Sequence, residues 1–254
     1  MNFHFDYRLK TEHLTVGAAP RQETLVIDCL ENLDDTIDAL FDHLKITGDE
    51  ALLEDLCPYF GVVWPSALAL AAIVASETRA GDELLEIGCG LALPSLVAAR
   101  AGARVVATDS HPEVPRFLAR NIERNLGGPG SADRLEFLPI DWQKTTPQIE
   151  PAPLAGKRFA RVIGSDILYE RKHPPLVARV IDEHLAPGGQ AIVTDPGRPY
   201  LQNLADEMKA RGYRCETQIL PVAPGSVSGP SAREIFVLRF ERANAAPRLP
   251  GAQP

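Results

Sequence analysis

The segment LLEIGCGLALPSL, residues 84–96, joins an apolar strand to a helix through a turn that contains Gly88 and Gly90. Glycines at such a turn let the backbone bend sharply and let a ligand lie close to it. The dinucleotide-binding fingerprint requires a third glycine three residues further on, where this chain has Leu93. Glu86 adds negative charge beside the turn, which disfavours a diphosphate and favours a cationic ligand. The segment therefore predicts a ligand-binding turn that is not built for a dinucleotide.

Strands alternate with helices from residue 83 onward, which is typical of βαβ units and a parallel sheet. The predicted strands cover residues 83–87, 104–108, 134–138, 159–164, 190–194, 213–220 and 233–240. The predicted helices between them cover residues 94–100, 113–126, 174–185 and 201–211. No helix separates the last two strands, so we expect an antiparallel hairpin at the edge, with the edge strand reversed. The pattern predicts an α/β fold, doubly wound around a mostly parallel seven-stranded sheet.

The pattern divides the chain into three regions, residues 1–60, 61–240 and 241–254. The first region has strand candidates at 7–16 and 24–30 and a helix that begins near Leu33, which predicts a small hairpin-and-helix extension laid against the main domain. The main domain opens with a helix that has Pro65 at its first position, where no backbone donor is needed. The last region lacks apolar periodicity, and we expect it to be disordered.

Composition excludes some classes of partner. The formal net charge is −8, which argues against nucleic acid because nucleic-acid binding needs a basic face. No apolar run approaches the ~20 residues that span a bilayer, and the first residues lack the apolar region of a secretory signal. The four cysteines are widely scattered with no CxxC pair, which predicts reduced thiols in the cytoplasm and no metal site. The oligomeric state is left open.

Two further acidic positions follow the glycine turn along the predicted sheet. Asp109 comes after the second strand of the sheet, where a carboxylate can accept hydrogen bonds from both ribose hydroxyls of an adenosine ligand. Asp141 and Trp142 come after the third strand, where they can contact the adenine amino group and ring, or serve as a turn residue and a core residue. Such acids suit S-adenosylmethionine, which carries a cationic methionine in place of the phosphates.

Asp166 and Tyr169, in the run SDILYE, end the fourth strand of the predicted sheet opposite the glycine turn. Ligands of open parallel sheets bind outside the carboxyl ends of the strands, so both side chains are expected to face the same crevice. A single aspartate after a strand is more often a cap. Together with the preceding acids, however, it indicates the place where a methyl group meets its acceptor.

These motifs resemble those of one family. The run WPSALALA from Trp64, then LEIGCG, the acid at 109, the pair DW and DILY are similar in order and spacing to the seven-β-strand methyltransferases of family 16. Its members include protein lysine methyltransferases with a DxxY motif and bacterial nicotinamide N-methylase-like proteins. The resemblance covers roughly residues 60–240. It implies a Rossmann-like methyltransferase fold and the cofactor S-adenosylmethionine.

The resemblance also implies roles for single residues. The methionine end of the cofactor would contact Glu86, Gly88 and Gly90, the ribose Asp109, and the adenine end Asp141 and Trp142. Trp64 would help to close the site, or would belong to the core, and Ser165 would line the cofactor site. Asp166 and Tyr169 would line the place where the methyl group meets its acceptor. Our hypothesis is that Asp166 orients the acceptor nitrogen and that Tyr169 lines the same channel.

The acceptor is not decided by these motifs, so several functions stay open. The leading hypothesis is an N-methyltransferase acting on a protein lysine amine, and a small-molecule N-methyltransferase is nearly as well supported. A non-catalytic S-adenosylmethionine-binding protein is less favoured. An NAD-dependent oxidoreductase is disfavoured by Leu93, by Glu86 and by the final hairpin. Arg198 follows the fifth strand of the sheet and either points into the acceptor pocket or belongs to a surface turn. His111 and His173 are expected to be solvated.

Overall fold

The computed structural model describes residues 5–127, 132–142, 154–222 and 232–243. The chain begins with an antiparallel hairpin of β1 (Leu9–Val16) and β2 (Glu23–Leu30), followed by α1 (Leu33–Thr47). The Asn32 side chain accepts a hydrogen bond from the Asp35 amide at the start of α1, and Gly48 ends the helix in the left-handed conformation. The predicted hairpin and helix are confirmed.

A seven-stranded sheet with helices on both faces forms the rest of the molecule. Its strands are β3 (Glu83–Ile87), β4 (Arg104–Asp109), β5 (Leu135–Pro139), β6 (Phe159–Ser165), β7 (Leu185–Asp195), β8 (Tyr213–Pro221) and β9 (Glu234–Arg242). Its helices are α2 (Pro65–Glu77), α3 (Leu93–Arg100), α4 (Val114–Asn125), α5 (His173–His184) and α6 (Leu201–Ala210). The predicted doubly wound α/β fold is confirmed.

The order of the strands is β5-β4-β3-β6-β7-β9-β8. β9 runs antiparallel to both of its neighbours, which confirms the predicted antiparallel hairpin at the edge, and the reversed strand lies one place in from the edge. The polarity of the side chains explains why β9 lies inside the sheet and β8 at its edge. β9 buries Ile235, Val237, Leu238 and Phe240, whereas most side chains of β8 are polar and exposed, as an edge strand requires.

The first hydrophobic core joins the N-terminal hairpin to the main domain. Leu25 and Ile27 of β2 are fully buried in a cluster that also contains apolar residues of α2, α3 and α4. Asn121 of α4 binds the peptide of Asp28, accepting from its amide at 2.8 Å and donating to its carbonyl at 3.3 Å. Asn125 makes the same pair of bonds to the Val26 peptide, at 2.9 and 2.7 Å. The hairpin is therefore fixed on α4 by polar bonds as well as by packing.

A second core lies under α5 and α6 on the other face of the sheet. The predicted loop after β5 falls mostly at 143–153, outside the described residues, and the predicted tail begins inside β9, which ends at Arg242. Among the residues that the structure describes, no helix is both long and apolar enough to cross a membrane. Within the same ranges, no group of histidines, cysteines and acids is arranged to hold a metal ion.

Candidate functional site

The candidate site lies at the carboxyl ends of four adjacent strands, β4, β3, β6 and β7. These strands are parallel, so the turns that follow them meet at one edge of the sheet. The glycine turn follows β3, Asp109 ends β4, Asp166 follows β6 and Asp195 ends β7. The topology therefore brings together the residues that the sequence places far apart.

The glycine turn is closely covered by other side chains. Gly88 has φ +64°, and a Cβ there would lie 2.7 Å from Cγ2 of Ile167 and 3.2 Å from Cζ2 of Trp142. Gly90 has φ +50°, and a Cβ there would lie 2.9 Å from the carbonyl oxygen of Phe60. Both glycines are therefore required by conformation and by space. Leu93 begins α3 fully within the apolar core.

Asp109 is bonded directly to this turn. Its Oδ2 accepts a hydrogen bond of 3.0 Å from the Gly90 amide, and its Oδ1 accepts one of 3.0 Å from the His111 amide. Burial raises the pKa of the Asp109 carboxyl, and the bonds from His111, Gly90 and Ser110 oppose that effect. Each carboxylate oxygen has more than one lone-pair site, so both can also accept from a diol.

Glu86 lies deeper than the sequence suggested. It is fully buried, and its Oε2 accepts hydrogen bonds from the amide of Ser95 at 3.1 Å and from the Ser95 hydroxyl. Burial raises the pKa of Glu86 to about 8, although the Ser95 bonds oppose the shift. Burial therefore opposes the negative charge that the sequence predicted for this carboxyl. Its Oε1 has no hydrogen-bond partner among the described residues.

Trp142 covers the turn from the side of β5. Its six-membered ring lies against Gly88, and its ring centroid is 5.5 Å from that of His173 in an edge-on contact. The Trp142 carbonyl accepts a hydrogen bond from Arg179, which fixes this backbone to α5. Asp141 is half-buried directly before it, two residues after β5. The indole thus lies on the glycine turn and also packs on the second core.

Trp64 and Ser165 lie at the rim of the same edge. Trp64 precedes α2, is half-buried, and donates from Nε1 to the Tyr59 carbonyl at 2.9 Å. This bond holds the 3₁₀ turn Tyr59–Gly61, whose Phe60 covers Gly90. Trp64 therefore supports the segment that covers the turn and also packs against the first core. Ser165 is half-buried as the last residue of β6.

Asp166 makes an ion pair that the sequence did not clearly indicate. Nη1 of Arg198 donates to Asp166 Oδ1 at 2.6 Å and to Asp195 Oδ2 at 3.0 Å. Asp166 has φ +58°, a conformation that is rare outside glycine and clusters at functional sites. Its side chain is 8% exposed, and its Oδ2 has no hydrogen-bond partner among the described residues. Of the two interpretations of Arg198, the surface turn was wrong.

Tyr169 and the two histidines surround the opening of the site. Tyr169 is 52% exposed, with its ring edge-on to His173 at 4.4 Å. His173 is buried, and its Nδ1 lies 3.0 Å from the Ile167 carbonyl oxygen. His111 stacks on Phe60 at 4.2 Å, and burial lowers its pKa to about 4. The expectation that both histidines are solvated was wrong, because each ring packs against aromatic neighbours.

Comparisons with known proteins agree with the fold and with the position of the candidate site. Residues 64–222 match the family model described as a methyltransferase domain. The chain belongs to this family.

Two curated relatives of this methyltransferase are named as enzymes that act on proteins. It is 30% identical to the histone-arginine methyltransferase METTL23 of Xenopus laevis over 134 residues, which are 51% of this chain and 52% of that protein. It is 27% identical to the protein N-lysine methyltransferase METTL21A of Danio rerio, again over 134 residues, which are 52% and 58% of the two chains. The methyltransferase thus spans about half the length of the curated relatives it matches.

Solved structures of low identity share its fold. A TehB-like methyltransferase of Corynebacterium glutamicum has a TM-score of 0.50 at 13% identity, with 82% of this chain and 97% of that chain covered. The glycopeptide N-methyltransferase MtfA, solved with S-adenosyl-L-methionine, has a TM-score of 0.52 at 12% identity, with 70% and 94% covered. The predicted Rossmann-like methyltransferase fold and family are confirmed.

Two observations test whether this methyltransferase fits S-adenosylmethionine. The Oε1 of buried Glu86 has no hydrogen-bond partner among the described residues and can accept from a cationic group, and Gly88 and Gly90 add no side chains of their own to the turn. Both features suit S-adenosylmethionine, the methyl donor.

Three further residues, Phe60, Ile167 and Asp195, also belong to the site, but the sequence analysis missed them. Apolar residues and a buried acid in a turn carry no sequence signal that separates them from ordinary core residues and caps.

Proposed function

We propose that this protein is an S-adenosylmethionine-dependent N-methyltransferase whose acceptor is the amine of a protein lysine. One juxtaposition carries the proposal. The glycine turn, bonded to Asp109, lies at the same sheet edge as Asp166, whose buried Oδ2 has no hydrogen-bond partner among the described residues. The first feature suits an adenosine ligand, and the second suits a group that donates an N–H.

The cofactor contacts follow from the described positions. Asp109 would accept from the ribose hydroxyls, and Glu86 Oε1, with the Gly88 and Gly90 backbone, would contact the methionine end. Asp141, Trp142 and Ser165 would contact the adenine end and the middle of the cofactor, with Trp64 closing the site through Tyr59. When bound, S-adenosylmethionine supplies an electrophilic methyl group on a sulfonium. The chain itself has to align that methyl group with a nucleophile.

In this proposal, Asp166 has the role of orienting the acceptor amine. Its Oδ2 would accept a hydrogen bond from the acceptor N–H and direct the nitrogen lone pair at the methyl group. A free lysine has a pKa of about 10.4, so the site must select or create the neutral amine. Tyr169 would line the channel with its ring. Alignment of the reacting atoms at about 3–3.5 Å supplies several kcal/mol of rate enhancement without further chemistry from the protein.

The rim of the site supports a protein acceptor. Tyr59 and Tyr169 are each about half exposed, so aromatic surface is available to a side chain that enters from outside. The pKa of Lys172, three residues after Tyr169, is raised by its hydrogen bond to Glu170 and also by the nearby carboxylates of Glu54 and Asp55. Acidic groups near the rim suit a basic segment. The relatives named as lysine and histone-arginine methyltransferases favour the same acceptor class.

A cytoplasmic location is part of the proposal. All four cysteines, Cys29, Cys57, Cys89 and Cys215, are free thiols, which suits a reducing compartment.

The test combines binding with methyl transfer. Radiolabelled S-adenosylmethionine is incubated with the protein and a lysate of its own cells, and the labelled products are separated by size. Asp166→Ala should abolish transfer and leave the S-adenosylmethionine Kd, measured by calorimetry, within about twofold of the wild type. Asp38→Ala, which removes an exposed acid of α1, is the matched control. Transfer by Asp166→Ala at the wild-type rate would contradict the role of Asp166.

A small-molecule acceptor is the second candidate, and the burial of Asp166 favours it, because a carboxylate only 8% exposed is accessible to a compact amine. Label in a low-mass product would decide for this candidate, and label in protein would decide against it. A protein that binds S-adenosylmethionine without catalysis would give heat on titration and no labelled product in any fraction.

A further inference from the structure

The turn that follows β7 has a rigid internal structure. Asp195 is fully buried, and its Oδ1 accepts hydrogen bonds from the amides of Gly197 at 2.9 Å and Arg198 at 2.7 Å. Gly197 has φ +94°, and a Cβ there would lie 2.9 Å from a ring carbon of Phe236 in β9. The turn is therefore fixed from within by Asp195 and from outside by β9. Its geometry determines where the Arg198 side chain begins.

The Arg198 guanidinium bridges two buried carboxylates. The same nitrogen, Nη1, lies 2.6 Å from Asp166 Oδ1 and 3.0 Å from Asp195 Oδ2. Buried charges are stable only when they are paired, so the guanidinium and the two acids depend on each other. Two acids share one cation, which leaves a net charge of about −1 when both are ionised.

The bridge leaves one atom of Asp166 uncommitted. Arg198 occupies Oδ1, while Oδ2 is buried without a hydrogen-bond partner among the described residues. The Asp166 amide donates to the Thr194 carbonyl at 2.9 Å, which fixes the backbone in its left-handed conformation. The groups that act on the carboxyl are Arg198 and Asp195 on the β7 side and the hydroxyl of Ser66 on α2, which like Arg198 lowers the pKa of Asp166.

We propose that Arg198 and Asp195 are positioning residues for the methyl acceptor, acting through Asp166. This inference rests on the proposed function. Asp195 fixes the turn, and Arg198 holds one oxygen of Asp166 so that the other is presented to the acceptor N–H. Because Arg198 also shares the negative charge of Asp166, the site has less attraction for an ammonium ion and accepts the neutral amine that attack requires. A merely structural ion pair would stabilise the fold without these effects.

The first measurement does not depend on activity. Carbon-13 NMR of the aspartate carboxyls in the ligand-free protein, assigned with Asp166→Asn, gives the titration of Asp166. Burial raises the pKa of Asp166, and Arg198 opposes that effect more strongly than any other group. Arg198→Gln should therefore raise this pKa further, and Arg198→Lys should restore part of the difference. An unchanged titration in Arg198→Gln would overturn the inference.

The second measurement compares pH profiles of methyl transfer. Activity that needs the ionised Asp166 falls below its pKa, so the acidic limb of kcat should move to higher pH in Arg198→Gln by the shift that NMR gives. At the optimum, kcat should fall on the order of 100-fold in Arg198→Gln and less in Arg198→Lys, with the S-adenosylmethionine Kd unchanged. Asp195→Asn, which keeps the shape of the turn residue, should also lower kcat, as Arg198→Gln does.

The control is Arg239→Gln, which breaks the 2.7 Å ion pair between Arg239 of β9 and Glu77 at the end of α2. It should lower stability and leave the pH profile in place. If Arg198→Gln behaves like Arg239→Gln, the ion pair is structural. That result would overturn the inference about Arg198 and leave the proposed function standing. If Arg198→Gln does not fold, Arg198→Lys gives the same comparison. A wild-type protein that transfers no methyl group would overturn the proposed function and this inference together.

Discussion

The amide of Gly90 donates a hydrogen bond of 3.0 Å to Oδ2 of Asp109, 19 residues further along the chain. The bond joins the turn after β3 to the end of β4, and the His111 amide bonds the other oxygen. The carboxylate is therefore in place before a ligand arrives. A ligand that binds it does not have to order the side chain, which would otherwise cost part of the binding free energy.

Asp109→Asn should weaken S-adenosylmethionine binding by about tenfold or more. The amide keeps one acceptor oxygen but loses the charge-assisted bonds, which are roughly twice as strong as neutral ones. Calorimetric titration at constant pH measures the change, and Asp38→Asn is the exposed control. An affinity equal to that of the wild type would contradict the ribose role of Asp109.

Gly90→Ala should destabilise the fold by more than Gly81→Ala does. Both glycines have positive φ, so alanine at either position costs about 1–2 kcal/mol of backbone strain. Only at Gly90 would the new Cβ meet an atom, the Phe60 carbonyl oxygen at 2.9 Å, whereas nothing lies within 4 Å at Gly81. Urea denaturation of the two variants measures the difference. Equal midpoints would mean that the cover formed by Phe60 moves freely.

Glu86→Gln should change the pH dependence of stability. The folded pKa of about 8 lies above that of an ordinary glutamate, so the stabilisation from the protonated form is complete at low pH and is lost as pH rises towards 8. Relative to the wild type, the glutamine variant should therefore gain stability between pH 5 and pH 8, on the order of a few kcal/mol. Chemical denaturation across this range checks the sign, and a pH-independent difference would refute the burial argument.

Binding of S-adenosylmethionine at pH 7 should release a proton from Glu86. A bound cation favours the ionised carboxylate, so the pKa of Glu86 falls when the ligand binds. Calorimetry in two buffers of different ionisation enthalpy counts the protons released, and Glu86→Gln should release fewer. An identical count in both proteins would mean that Glu86 does not contact the cationic end.

The fluorescence of Trp142 should report cofactor binding. The chain has two tryptophans, Trp64 and Trp142, and the indole of Trp142 lies on Gly88. Stacking with adenine should quench its emission, so Trp142→Phe should abolish most of the signal change and Trp64→Phe should retain it. Quenching that survives in Trp142→Phe would place the adenine elsewhere.

The sequence was sufficient for the fold and for the positions of the acids. Alternating strands and helices predict the sheet, and Asp109 and Asp166 follow strands whose ends must meet. The sequence was insufficient for properties that depend on how deeply a residue is buried in the fold. The charge of Glu86 depends on desolvation, and the packing of His173 depends on Trp142, which is distant in sequence. The place of β9 depends on its burial relative to β8, which the hairpin pattern does not contain.

The insertion of β9 between β7 and β8 has a consequence for synthesis. β8 contacts the sheet only through β9, so a nascent chain that has emerged as far as residue 222 holds an edge strand without a neighbour. The β7-β9-β8 part of the sheet, including the contact between Phe236 and Gly197, cannot form fully until β9, which ends at residue 242, has left the ribosome. Completion of the sheet at the side of Arg198 is therefore expected to wait for β9, even if the Asp109 side assembles earlier.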